Sequence, residues 1–158
     1  MSTLANHRAI ADFLKRNTGL PEPLNIVVHN PDDGAPGAAA VVHLATFGAT
    51  NPAKDLASWM HALDDGRPYV TYRVDWVDVT IVGHYAPHCA MVIKSSLFGV
   101  QAGTLLALAP ADLHTEFNVA PSVLEQVARE ASTSDIAGEQ LAAALDAVTD
   151  IAQGEVAA

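Results

Sequence analysis

A single cysteine, Cys89, stands among the 158 residues, so no intramolecular disulfide can staple the chain and nothing ties it to an oxidising compartment. Long apolar runs are missing as well, and none approaches the roughly 18 residues that a membrane-spanning helix needs. The opening MSTLANHRAIADFLKRN has the spacing of an amphipathic helix, not a basic head followed by an apolar block. These absences lead us to expect a cytoplasmic protein, neither membrane-spanning nor secreted. Glycines are scattered, with neither G-x-G-x-x-G nor G-x-x-x-x-G-K-[ST]. The nearest approach, Gly99-Val-Gln-Ala-Gly103, lacks the lysine, so no phosphate-handling cofactor is expected. Basic residues are also few, eight against 18 acids. A nucleic-acid surface needs clustered cations to displace condensed counterions, so direct DNA or RNA binding is disfavoured.

What is present fits one compact unit. Half of the residues are hydrophobic, enough at this length to bury a sizeable core, which excludes a disordered chain. The charge is unevenly placed. Residues 1–100 carry nine acids and seven bases (net −2), whereas 101–158 carry nine acids against Arg129 alone (net −8). A solvated helical surface is one account of that asymmetry. An acidic face that meets a basic partner is the other, with Glu125, Glu130, Glu139 and Asp146 as its candidate residues.

Ile10, Phe13 and Leu14 follow the i, i+3, i+4 rule, and Gly19, Pro21 and Pro23 supply stop signals, so the pattern predicts a helix from Thr3 to Asn17. Asn25 to His29 is a short β-branched run. The turn-rich PDDGAPG after it reverses the chain, and Ala39 to Phe47 returns as the second arm of a wide hairpin. Leu56, Trp59, Met60 and Leu63 then mark a helix facing a sheet, with Asn51 as N-cap, Pro52 in the first position, Gly66 past the end, and Lys54, Ser58 and Asp65 towards solvent. Tyr69 to Asp75, Asp78 to Tyr85 and Cys89 to Ser95 read as three strands whose short connections require antiparallel pairing.

The expected fold class is therefore α+β: a small, mostly antiparallel sheet in α-β-β-α-β-β-β order, followed by C-terminal helices. Residues 1–96 form the α+β core, and 97–158 form a helical segment that packs on it or mediates association. From Leu97 to Ala120 the pattern leaves strand and helix open, with Pro110 interrupting either. One helix is predicted over 121–131 through Leu124, Val127 and Ala128. A second is predicted over 135–151, with Ser134 as its cap and Leu141, Leu145 and Val148 on its face. The alanines from 142 to 144 give a smooth surface for the chain's own core or for a second copy.

Candidate chemistry centres on His84, His88 and Cys89, whose imidazole and thiolate groups are zinc-ligand types. With Tyr85 to His88 as the hairpin connection, His84 stands across from Cys89 on one face of the sheet. Closing a site would then require His29, His43 or His61. The same pair could serve a thiol enzyme, with His84 as the cation that lowers the Cys89 pKa, although no orienting group or oxyanion site is visible. Ser58, Ser95 and Ser96 lie in no G-x-S-x-G context. Asp75 and Asp78 flank Trp76-Val77 at an expected strand connection, where acids ordinarily serve turn chemistry. No catalytic, cofactor or metal residue is assigned.

The leading amphipathic helix ending in Leu20-Pro-Glu-Pro23, the two short strands, the tryptophan-bearing helix closing on Ala62-Leu63-Asp64 and the strand triplet resemble, over about residues 5–95, small uncharacterised accessory proteins of high-GC Gram-positive bacteria and their phages. The resemblance implies an accessory or phage-encoded role and carries over no active-site residue. The functional expectation is a non-enzymatic protein that binds another protein, through the acidic helices or a sheet edge, with a host protein as target if the source is a phage. The alternatives are a small metal- or thiol-dependent enzyme using His84 and Cys89, and an acidic DNA mimic. The irregular spacing of the helix acids shows no phosphate-like ladder.

Overall fold

The computed structural model describes residues 3–29, 39–46 and 49–133. In chain order the elements are α1 (Thr3–Arg16), β1 (Asn25–Val28), β2 (Ala40–His43), α2 (Pro52–Ala62), β3 (Asp64–Tyr72), β4 (Trp76–Ala86), β5 (Cys89–Phe98), α3 (Gly99–Leu108) and β6 (Glu116–Asn118). A further helix, α4, covers residues 121–133. The class is α+β, and the α-β-β-α-β-β-β order read from the sequence is the order observed. The helix expected over 135–151 lies outside the described residues, as do Phe47, Ser134, Glu139 and Asp146.

Local rules account for the helices. In α1 the side chains of Asn6, Ile10 and Phe13 are buried, one stripe at i, i+4, i+7. Lys15 and Arg16 in its last turn suit the negative end of the helix dipole, and Asn17 ends it by donating from Nδ2 to the Phe13 carbonyl at 2.9 Å. In α2 the Asn51 Oδ1 accepts from the Lys54 amide at 3.0 Å, and Pro52 occupies a position whose amide needs no partner. Trp59 is fully buried, and its indole Nε1 donates to the Pro21 carbonyl at 3.1 Å, tying the Leu20–Pro23 stretch to the core.

Gly66 does not act as the stop signal assigned to it. Leu63 closes α2 in extended conformation, and Gly66 falls within β3. Its role is steric, because a Cβ there would collide with the Met60 carbonyl oxygen. The missing side chain lets the last turn of α2 sit directly on the strand that follows it.

The sheet has six strands in the order β1-β2-β5-β4-β3-β6. All neighbours are antiparallel except β2 and β5, which run parallel. The intervening α2, β3 and β4 supply the long connection that parallel pairing requires. Beyond residue 97 the chain is not helical throughout. Leu105 to Ala109 falls in and just after α3, Pro110 follows the C-cap, and β6 adds to the sheet beside β3. Tyr72 fastens α3 to the sheet through its hydroxyl, shared between the carbonyls of Leu105 at 3.0 Å and Ala109 at 2.6 Å.

Strand alternation divides the sheet cleanly. Val77, Val79, Ile81 and Tyr85 of β4, and Cys89, Met91, Ile93 and Leu97 of β5, are buried with Val70 and Tyr72 of β3. All of them belong to the single core cluster that also holds Leu56 and Trp59 of α2, Leu105 of α3 and Leu124 and Val127 of α4. The helices therefore cover one face of the sheet. Among the described residues, nothing covers the other.

Candidate functional site

The uncovered face can be built residue by residue from the strand register. At one end Trp76 of β4 pairs with Phe98 of β5, their rings stacked at 6.2 Å between centroids. Next come Glu116, Thr71, Asp78 and Ser96 across β6, β3, β4 and β5. A third row runs Asn118, Tyr69, Thr80, Lys94, His43 and Asn25 across all six strands. The fourth row is apolar: Val82, Val92, Val41 and Val27 stand on adjacent strands, with Arg67 at the β3 end. With strands about 4.8 Å apart and same-face residues about 6.7 Å apart, the four rows measure roughly 24 Å by 20 Å.

β-Branched side chains on neighbouring strands pack well laterally, yet among the described residues nothing lies above this valine row. Val27 and Val82 are 42% and 36% exposed, and Val41 and Val92 are half-buried by their neighbours. Lys94 and Arg67 flank the row and are exposed. Neither forms an ion pair, the ion pairs among the described residues being His61 with Glu125 and Arg73 with Asp78. Between the polar rows lies a shallow cleft of about 500 Å³, lined by His43, Thr46, Asp78, Lys94 and Ser96 among others.

Asp78 organises the polar end. It lies two residues inside β4 and not at the strand's first position beside the connection, because β4 begins at Trp76. Its carboxylate accepts from Arg73 Nε, Trp76 Nε1 and Ser96 Oγ, each at 2.9 Å. Partial burial pushes its pKa upward, but these three hydrogen bonds and the Arg73 charge outweigh that and hold it below the usual 3.8. Both of its oxygens are engaged. Asp75 is exposed in the turn before β4.

The pairing of His84 with Cys89 is corrected by the register. The connection is the two-residue turn Pro87-His88, so Ala86 pairs with Cys89, and after an irregularity His84 pairs with Ala90. His84 consequently lies on the open side, exposed, whereas Cys89 is 1% exposed in the core beside Tyr85. Burial, and next the neighbouring Cys89, push the Tyr85 phenol far above its ordinary value. The thiol thus faces a phenol and not a cation. His88 sits in the turn at φ 63, exposed, and His61 projects from α2 to Glu125 at 3.1 Å. Among the described residues no three His, Cys, Asp or Glu side chains gather at metal-binding range.

Of the acidic candidates, Glu125 is engaged by His61 and Glu130 accepts from Gln126 Nε2 at 2.9 Å. A larger cleft of about 890 Å³ opens between α1 and the β4–β5 hairpin, with Asp12, Arg16, Asp64 and His84 in its lining. Cys89 does not line it. Sequence reasoning missed Lys94, Arg67 and the valine row. Their signal was the alternation of β4 and β5 itself, in which Val82 and Val92 occupy the polar phase. No protein-family model, no curated protein and no solved structure matches this chain. No helix among the described residues is long and apolar enough to cross a membrane.

Proposed function

We propose that this is a non-enzymatic accessory protein that binds another protein on the open face of its sheet. One observation carries the reading: among the described residues a six-stranded sheet has its helices on one side, while the other presents valines on four adjacent strands with nothing packed over them. Contiguous exposed apolar surface rimmed by polar groups is characteristic of interaction sites, and the whole face, polar rows included, covers roughly 480 Å² from the strand spacings, over half of one side of a standard interface. Edge addition is less well supported, because the edge strands β1 and β6 are only four and three residues long. The acidic helix surface is also less apt, since Glu125 and Glu130 already have partners within the chain. The resemblance to accessory proteins of high-GC Gram-positive bacteria and their phages accords with this role, and the target would be a host protein for a phage source.

A metal- or thiol-dependent activity is the weaker reading, since His84 and Cys89 lie on opposite sides of the sheet. Photo-crosslinking in extract of the source cells tests the proposal. A photoreactive residue at Val92 is expected to trap one discrete protein, and the same residue at Lys54, on the solvent side of α2, is not. Equal labelling from both positions, or none from Val92, refutes it. A crosslink between two copies would assign the face to self-association.

A further inference from the structure

Resting on that reading of the open face, we infer that its partner is an acidic, amphipathic protein segment whose apolar side chains cover the valine row and whose carboxylates meet Lys94 and Arg67. The argument is charge complementarity. Residues 1–100, which supply the valine row and the row beside it apart from Asn118, carry nine acids and seven bases, so a patch of that surface is expected to hold both signs. The valine row and the row beside it hold Arg67, Lys94 and His43 and not one carboxylate. The acids of the face lie outside these two rows: Asp78, already neutralised by Arg73 at 2.9 Å, Glu116 on the row of Asp78, and Asp64 opposite His84 at the hairpin end. Among the described residues, neither Lys94 nor Arg67 is paired with a carboxylate. Two uncompensated cations beside an apolar row select carboxylates and repel lysine and arginine, which sets specificity and association rate more than total affinity. A polyphosphate fits less well, because two cations release few counterions and the valines have nothing to meet on a phosphate backbone.

The test uses the full chain and three fluorescent probes. The first is a synthetic peptide with a leucine stripe flanked by glutamates, the second is the same peptide with lysines in their place, and the third is a single-stranded DNA oligonucleotide. Anisotropy titration is expected to show the glutamate peptide binding roughly tenfold more tightly than the lysine peptide at low salt, with the gap closing as salt is added. The double variant Lys94→Glu, Arg67→Glu, both at exposed positions that leave the core untouched, is expected to reverse the preference. Equal binding of the two peptides, a preference unchanged by the double variant, or tightest binding of the DNA overturns the inference. If neither peptide binds, the inference also falls. The crosslink from Val92 then decides whether the docking reading falls with it.

Discussion

Replacing Asn51 by alanine should destabilise the protein by about 2–3 kcal/mol, because this one buried side chain joins three helices. It is 7% exposed. Its Oδ1 caps α2 at Lys54 N, 3.0 Å away, and accepts from Gln101 Nε2 of α3 at 3.0 Å. Its Nδ2 donates to the Ala128 carbonyl and the Ser132 hydroxyl of α4, both at 3.0 Å. Losing an N-cap costs about 1 kcal/mol, and each internal hydrogen bond contributes about 1 kcal/mol net. The sum is moderated because Ala128 O retains a bond from Ser132 Oγ, and Gln101 Oε1 still accepts from Ala53 N. Asn51→Asp separates the terms: it keeps the cap but loses the donor to α4, so its loss should be about half that of alanine. Urea unfolding followed by fluorescence of the buried Trp59 measures both. A loss below about 1 kcal/mol for Asn51→Ala would refute the reasoning, since even the cap alone reaches that value.

Three further outcomes follow from the same contacts. Tyr72→Phe keeps the ring in the core but removes the donor to Leu105 O and Ala109 O, so it should cost about 1–2 kcal/mol in urea unfolding. Protease sensitivity should rise first near α3. Asp78 is held below 3.8 in the folded protein. A carboxylate depressed by folding adds stability above its unfolded pKa and loses it as pH falls through the folded value, so Asp78→Asn should flatten the stability profile below about pH 4. The effect is small because the Arg73–Asp78 pair is 38%/36% exposed, and an unchanged acid limb argues against it. Cys89, 1% exposed, should resist a thiol reagent in the native protein and react once urea unfolds it. Rapid native labelling contradicts the packing.

The sequence was most legible where independent signals coincided. At α2 the cap, the proline and the i, i+3, i+4, i+7 stripe all named the same helix, and its observed limits Pro52–Ala62 follow them. The long strands β4 and β5 were legible through alternation. Failures came from short elements and from register. β6 has three residues, Glu-Phe-Asn, too few for any period, and it exists only because β3 offers an edge. The hairpin at Pro87-His88 shows why the candidate site was misread. Taking four residues as the connection instead of two put His84 opposite Cys89. In a period-two strand such a slip moves a side chain through the sheet. The open face was hidden for a related reason: valines in both phases of β4 and β5 show buried strands, and only the tertiary arrangement reveals that helices cover one phase alone.

That arrangement also bears on why binding is a better reading than catalysis. Alternation in β4 and β5 sends the thiol of Cys89, the phenol of Tyr85 and the hydroxyl of Ser95 into the buried phase, while Thr80, His84, Lys94 and Ser96 go to the open side, where a nucleophile and a base could meet. One such contact is found there among the described residues, Ser96 Oγ donating to Asp78 Oδ1 at 2.9 Å. A serine is activated by a base whose pKa lies near the working pH. Asp78 is displaced the other way, below the ordinary carboxylate range, by the bonds from Arg73, Ser96 and Trp76, and both of its oxygens are occupied. A carboxylate displaced in that direction is a poor base for the serine proton, and the same bonds tie Arg73, Trp76 and Ser96 together at the end of the face that carries the Trp76–Phe98 stack. Polar side chains already held by hydrogen bonds beside an apolar row lose less entropy on docking, an advantage to a binding surface that does nothing for a nucleophile.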